Sequence, residues 1–325
     1  MLKSVGSLLA LVAGFISAPT LAQDSYPDRP INLIVNYSPG GGTDLVARAI
    51  AQHVEPFLGQ PVVVMNRPGA GGTIGVSAIA SAKPDGYTVG IVTTSTLATA
   101  PHVISVPYDP MNDFQLIAGL SEYLYGTSVP TGSPFKTLGD LIDYARENPG
   151  KINYGVTGLS ASNNLAMVKL MRAADVKMTP IVFKNTVEEV TAALGGHIDV
   201  TNQDPPAVVG HIQSGKLRLL ASFSQDRWEW APEVPTVREM GYDFSESSSL
   251  GLAAPKGVPE EIMTKLRDAF KKAAETDEFQ EAVRKIYLVP RYRDPAEWKA
   301  ELEKALHQNE KMIRELGLHR SQQNN

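Results

Sequence analysis

The stretch NYSPGGGTDLVARAIAQHV, Asn36 to Val54, sets three glycines between a short apolar run and an amphipathic segment. Just upstream, Ile31 to Val35 is compact, apolar and bounded by Pro30 and Pro39, which predicts a buried strand rather than a helix. Downstream, Val46, Ile50, Val54 and Phe57 recur at helical spacing. The glycines therefore join a strand to a helix start, where unpaired backbone N–H groups meet the positive end of a helix dipole and the lack of Cβ atoms permits close approach. Such a junction suits an anion. It equally suits a plain tight turn, with Thr43 or Asp44 capping the helix.

A second junction repeats the arrangement. VVVMNRPGAGGTIGVSAIASA, Val62 to Ala82, reads as a strand, the loop Pro68-Gly69-Ala70-Gly71-Gly72, and a helix of small residues. Further apolar runs at Thr88 to Val92, Ile152 to Val156, Ile181 to Phe183 and Leu217 to Ala221 predict strands. Between them, Thr137 with Asp140 opens a helix that Pro149-Gly150 ends, and Thr186 with Glu189 forms a capping box closed by Gly195-Gly196. Pro259 and Asp294-Pro295, the latter with Glu297, open two more helices near the C-terminus. The alternation predicts an α/β chain built from βαβ units around a mostly parallel sheet. Two glycine loops after successive parallel strands would lie side by side at the sheet's C-terminal edge, where α/β folds bind ligands.

The chain has 325 residues, a formal net charge of −5 and no cysteine. Disulfides, thiol catalysis and thiolate metal sites are excluded, and without a dense basic run nucleic acid is not an expected partner. Lys3 precedes an apolar stretch, Leu8 to Ile16, and Thr20-Leu21-Ala22 fits a small-x-small cleavage site. Residues 1–22 are thus expected to be a signal peptide cleaved after Ala22, and the mature protein to work in a bacterial periplasm. No later stretch is long and apolar enough to span a membrane.

Several enzyme motifs almost fit. From Gly69, the dinucleotide pattern finds Gly71 but then Ile74 where a third glycine belongs, and no lysine follows either glycine loop as a phosphate loop requires. GLSAS, Gly158 to Ser162, lacks the closing glycine of a nucleophile elbow, and SPFK, Ser133 to Lys136, lacks the partner motifs of acyl-serine enzymes. A helix cap and a turn explain them better. The histidines His53, His102, His197, His211, His307 and His319 show no i, i+4 pair with a third ligand near, so no metal site and no cofactor is expected. Met167 and Met171 read as core packing.

At the glycine loops the sequence resembles the Bug family of periplasmic solute-binding proteins, the extracytoplasmic receptors of tripartite tricarboxylate transporters. The resemblance covers nearly the whole chain after residue 22: YPDRPINLIV, GGGTDLVAR, GQPVVVMNRPGAGGTIG, AKPDGYTV, VPYDP, PGKINYG, LGGHIDV, GKLRLLA, EVPTVREMGY and GLAAPKGVP, jointly specific in order and spacing. It implies a two-domain periplasmic binding protein of type II-like, Venus-flytrap form with two interdomain crossings, near Tyr123 to Ser128 and Ser247 to Leu252. One domain would comprise residues 23–124 and 247–325, the other residues 125–246. It also implies a small carboxylate ligand held by backbone N–H groups, often with ordered water. Transferred onto this chain, Tyr37, Ser38, Gly40, Gly41, Gly42, Thr43 and Asp44 form the first loop, Pro68, Gly69, Ala70, Gly71 and Gly72 the second, and Thr94 with Ser95 completes that wall. Asp44 would repel an anion, which assigns it to capping or to a cationic group.

The opposite wall departs from the family pattern. Gly158-Leu159-Ser160-Ala161-Ser162-Asn163-Asn164 stands where many relatives read Gly-Asn-Gly-Thr-Ser-Ser-His, Phe183-Lys184-Asn185 replaces Tyr-Lys-Gly, and Gln203 followed by Asp204 replaces a frequent aspartate. Ser160, Ser162, Asn163, Gln203 and Asp204 are therefore expected to read the far end of the ligand. The resemblance implies a monomeric receptor delivering its carboxylate to integral-membrane permease subunits. Two alternatives differ in kind: a ligand sensor docking on a signalling protein, and a serine hydrolase using Ser160 or Ser162.

Overall fold

The structure is a computed structural model that describes residues 26–322. The expected leader and its cleavage point lie outside the described residues. The first part of the chain runs β1 (Ile31–Val35), α1 (Gly42–Leu58), β2 (Val62–Asn66), α2 (Thr73–Ala80), β3 (Thr88–Thr93), a π-helical turn at Ser95–Thr99, α3 (Ala100–Val103) and β4 (Phe114–Leu124). A middle part follows: β5 (Gly126–Pro130), α4 (Leu138–Glu147), β6 (Asn153–Val156), α5 (Ser162–Ala174), β7 (Thr179–Val182), α6 (Thr186–Leu194), β8 (Val200–Gln203), α7 (Pro205–Gln213) and β9 (Leu217–Ser222). The chain closes with β10 (Ser247–Pro255), α8 (Glu260–Ala274), α9 (Asp277–Lys285), β11 (Val289–Arg293) and α10 (Pro295–Glu315).

Two separate sheets organise these elements, ordered β11-β4-β10-β3-β1-β2 and β7-β6-β8-β5-β9. This is the two-lobed α/β architecture implied by the sequence resemblance. Strand β1 lies between β2 and β3, parallel to both, so the two glycine loops leave neighbouring strands at one sheet edge. The sheets are mixed rather than mostly parallel. β10 runs antiparallel to β3 and β4, β11 antiparallel to β4, and β5 antiparallel to β8 and β9. β4, β5, β9 and β10 are the strands by which the chain leaves and re-enters a sheet, β11 is an edge strand, and none has the Val/Ile-rich run of a buried parallel strand. SSSLGLAAP in β10 is small because Trp298 packs on it: a Cβ at Gly251 would meet Ala118 O at 2.2 Å and the Trp298 ring at 2.5 Å.

The crossings are short. β4 ends at Leu124 and β5 begins at Gly126, leaving Tyr125 between sheets, while the return passes from Glu246 into β10 at Ser247. Phe223 ties both together, donating its N–H to Tyr125 O at 2.8 Å and accepting from Glu246 N–H at 2.7 Å. In the first lobe, Val46, Ile50 and Val54 of α1 pack with Leu33 and with Leu266 and Phe270 of α8, all buried. In the second lobe, Leu138 and Leu141 of α4 join Tyr154, Met167, Leu170 and Phe223.

Local signals that need only near neighbours form as the residues imply. Thr137 Oγ1 accepts from Asp140 N–H while Asp140 accepts from Thr137 N–H, and Asp294 accepts from the N–H groups of Ala296 and Glu297. SPFK is a turn in which Lys136 Nζ donates to Ser133 O at 2.7 Å. The capping box at Thr186 is different: Asn185 is the cap, accepting from Glu188 N–H at 2.9 Å. Thr186 is already the first helical residue, and Glu189 turns inward to accept from Thr201 Oγ1 at 2.9 Å and from Gln203 Nε2.

Candidate functional site

Between the lobes lies a cavity of about 1020 Å³. Both glycine loops face it. Of the residues expected from sequence, Tyr37, Ser38, Gly40, Gly41, Gly42 and Thr43 line it, as do Pro68 to Gly72 and Ser95; from the opposite lobe come Ser160, Ser162, Asn163, Gln203 and Asp204. No arginine is among its lining residues, and the nitrogen bases are Lys184 and His211.

Asp44 and Thr94 do not line it. Asp44 is third in α1, where Oδ2 accepts from Gly40 N–H at 3.0 Å and Arg48 Nε at 2.9 Å, and Oδ1 accepts from Asn66 Nδ2 at 2.8 Å. Burial pushes this carboxyl upward, but the bonds from Arg48, Gly40 and Asn66 outweigh it and hold it below the ordinary range. Asp44 thus steadies the first loop from behind. Thr94 Oγ1 pairs with Ser249 Oγ at 2.8 Å and accepts from Ser249 N–H at 3.0 Å. β3 ends at Thr93 and the chain turns helical at Thr94, which leaves Thr93 and Ser95 on the cleft while Thr94 is held by Ser249.

What the loops offer is bare helix ends. The first turns of α1, α2 and α5 begin at Gly41, Gly72 and Ala161, and none receives a side-chain cap. Thr137, Thr276 and Asp294 cap α4, α9 and α10 away from the cleft, while of the helix starts on the cleft α6 alone is capped, by Asn185. Uncapped N–H groups at converging helix starts form an anion site without a formal positive charge. In the second loop Gly69, Ala70, Gly71 and Gly72 all have positive φ, at 129°, 48°, 64° and 94°. Gly72 N–H closes the turn onto Gly69 O at 2.9 Å, so the glycines bring the bare backbone of this loop to the cleft wall. Tyr37 closes the side of the loop, donating to Gly71 O at 3.2 Å.

The floor is aromatic. Tyr123 and Tyr125 stack with centroids 6.4 Å apart, and Tyr123 donates to Thr43 Oγ1 at 2.8 Å. Burial, followed by the Asp204 charge for Tyr123 and chiefly the Tyr37 and Asp204 charges for Tyr125, raises both phenols well above their usual range, so they stay neutral donors. Sequence reasoning missed this pair, together with Thr93, Ser248 and His211; their only local signal is a Tyr-x-Tyr spacing at the first crossing. Two buried polar groups beside the cleft have no partner: Ser162 Oγ, and both amide atoms of Asn36 beneath Gly72. Buried polar atoms of this kind are normally satisfied by ligand or ordered water.

Asp204 is the one lining acid. It stands at the start of α7, yet its side chain does not cap that helix; Oδ2 instead lies against Gly42 of the facing lobe. Burial pushes its carboxyl up to about 7, the first and largest cause; Ala207 N–H, which lies near, is taken by the Asp204 carbonyl at 3.1 Å rather than by the carboxyl. Glu189, behind it, also rises to about 7, through burial first, with the Asp204 charge adding to the shift and bonds from Thr201, Asn202 and Gln203 opposing it.

The lobes touch elsewhere too. Ser95 Oγ donates to Ser160 O at 3.2 Å, Arg172 pairs with Glu315 at 3.5 Å, and Trp230 and Gln213 meet Tyr287 with a ring separation of 5.6 Å and an Nε2 to Oη distance of 3.4 Å. The Trp230 contact lies outside the cleft and forms only when the lobes meet. Trp230→Ala is expected to weaken ligand affinity about three- to tenfold, the worth of one aromatic pair of ~0.5–1.5 kcal/mol. Isothermal titration checks this, and an unchanged affinity would show that the contact does not favour closure.

Comparison with known proteins agrees with this geometry. The family model described as "Tripartite tricarboxylate transporter family receptor" matches residues 46–318. BugT of Bordetella pertussis is 34% identical over 284 residues, covering 85% of this chain and 86% of BugT. Among solved structures, an R. palustris protein with adipate superposes at TM-score 0.85 with 29% identity, over 90% of this chain and 98% of the other. MatC from Rhodopseudomonas palustris with bound malate gives TM-score 0.83 and 27% identity, over 89% of this chain and 100% of MatC.

Proposed function

The chain belongs to the tripartite tricarboxylate transporter receptor family, and from that premise we propose that it binds a small carboxylate between its lobes in the periplasm and hands it to integral-membrane permease subunits of such a transporter. The observation that carries the ligand class is the convergence of three uncapped helix starts, α1, α2 and α5, on one interlobe cavity without an arginine. One carboxylate of the ligand sits against the N–H groups of the two glycine loops, where charge-assisted bonds in a dry cleft are strong. The two solved relatives hold adipate and malate, both dicarboxylates. A cavity of about 1020 Å³ leaves room for such a molecule with ordered water.

Among the described residues the lobes are 26–124 with 247–322 and 125–246, and the chain is exported after cleavage at Ala22. The protein binds without turnover. Ser162 Oγ is buried without a partner, and the bond made by Ser160 across the cleft runs through its carbonyl, so neither serine is paired with a base that would activate it.

Thermal-shift screening of mono-, di- and tricarboxylates and amino acids tests the proposal, because a ligand that binds the native state raises its stability by mass action. At least one carboxylate is expected to raise the melting temperature, and to reduce the radius of gyration in solution scattering as the lobes close. If no carboxylate does so, and carboxylate esters are turned over instead by a reaction lost in Ser160→Ala or Ser162→Ala, the binding proposal fails.

A further inference from the structure

On the first lobe, away from the cleft, the fold brings together three residues that sequence spacing keeps apart. His102 of α3, Glu310 of α10 and His319 beyond the end of α10 each place one potential ligand atom within 4.8 Å of the other two. The imidazole rings are 6.1 Å apart between centroids and inclined by 35°. His319 is buried and the other two are half-buried. We propose that His102, Glu310 and His319 form a binding site for a divalent transition-metal ion of the zinc class.

Each of the three side chains offers one ligand atom. His102 Nε2 lies 3.0 Å from Leu306 O, so a neutral ring donates there and presents Nδ1 as the ligand. A metal-ligating histidine commonly donates its other N–H to a backbone carbonyl in this way. His319 Nδ1 lies 2.8 Å from Ser321 Oγ and accepts from Ser321 N–H at 3.3 Å, so ligation through Nε2 requires the ring proton to move to Nδ1, where Ser321 Oγ accepts it in place of the Ser321 N–H bond. Arg314 donates to Glu310 Oε1 from Nη2 at 2.8 Å and from Nε at 3.1 Å, and Oε2 is the oxygen offered to a metal. Two imidazoles and one carboxylate match zinc's preference for nitrogen and oxygen donors, and water would complete the coordination.

Tetrahedral ligands about 2.1 Å from zinc stand about 3.4 Å apart, so groups lying within 4.8 Å of one another draw together by at most about 1.4 Å, within reach of side-chain rotation. Arg314 and Arg320 stand near the two imidazoles. The same arginines oppose a cation, so the affinity should fall below that of a closed four-ligand structural site. A bound ion would pin the segment after α10 to α3, and its presence is separate from carboxylate binding in the cleft.

The test is titration of the untagged chain with Zn(II) by calorimetry and with Co(II) by visible absorption. One ion per chain is expected to bind, with the intense ligand-field bands of a low-coordinate Co(II) centre and a rise in melting temperature that a chelator reverses. His102→Ala with His319→Ala should weaken the site at least 100-fold. Glu310→Gln, which keeps size and packing, should weaken it about tenfold. His307→Ala should leave it unchanged, while carboxylate affinity should be the same in all variants. The proposal is overturned if the parent binds Zn(II) no more tightly than the double histidine variant, or if His307→Ala removes the binding.

Discussion

Gly42→Val is expected to lower carboxylate affinity at least 100-fold and to hold the protein in an open form. A Cβ at position 42 would lie 2.7 Å from Asp204 Oδ2 of the facing lobe and 2.8 Å from the Tyr123 ring, so the valine occupies the space that the closing lobes need. A 100-fold loss corresponds to about 2.7 kcal/mol, within the range that overpacking a tight contact costs. Position 41 separates this effect from loss of a ligand contact. Gly41 has φ of −80°, and its nearest neighbour to a Cβ is Ser38 O at 3.8 Å, so the protein itself accommodates an alanine there. Whatever affinity Gly41→Ala loses is lost to the ligand. Calorimetry on the best carboxylate, paired with solution scattering, distinguishes the outcomes. If the Gly42→Val protein binds like the parent and compacts fully, the cleft is not the ligand site.

The second large effect is a pH dependence whose sign reports what the ligand carries at its far end. Asp204 has a carboxyl raised to about 7 in the closed protein and faces the neutral phenols of Tyr123 and Tyr125, with Glu189, also about 7, behind it. A ligand with a second carboxylate requires protonated Asp204, which raises its pKa further. Affinity is then full below the pKa that Asp204 has in the open protein and falls by up to tenfold per pH unit up to the raised value it has in the closed complex. A ligand with an ammonium group requires ionised Asp204, which lowers its pKa in the complex; affinity is then full above the open-state pKa and falls as the pH drops through it. Asp204→Asn should flatten either profile between pH 6 and 8, while Glu189→Gln should leave the sign unchanged. A parent profile already flat over that range would remove Asp204 from ligand recognition.

The glycine loops were legible because every signal in them is local: apolar strand, Cβ-free turn, helical period. Which side chain of a loop faces the ligand was legible only to within one residue. At the end of β3 the turn into helical backbone at Thr94 leaves Thr93 on the cleft, and Asp44 is drawn behind its loop by Arg48 and Asn66, the latter lying 22 residues along the chain. Thr186 and Glu189 have capping-box spacing, but Asn185 outcompetes Thr186 as the cap, and burial against Thr201 and Gln203 claims Glu189. β10 was invisible because its composition answers to Trp298, a partner far along the chain. The contact of Asp204 with Gly42 likewise joins residues that no periodicity relates.

The two crossings are mechanically one. β4 and β10 are hydrogen-bonded neighbours up to Leu124 and Ser247, and just beyond them Phe223 grips Tyr125 with its N–H and Glu246 with its carbonyl. Two independent tethers would let the lobes twist and shear as well as bend. A paired ribbon clamped at its far side behaves as a single flexure, stiff to torsion and soft along one coordinate. Opening and closing should then follow one relaxation, with no half-released form in which only one tether has moved, so a permease would meet either a loaded shape or an empty one.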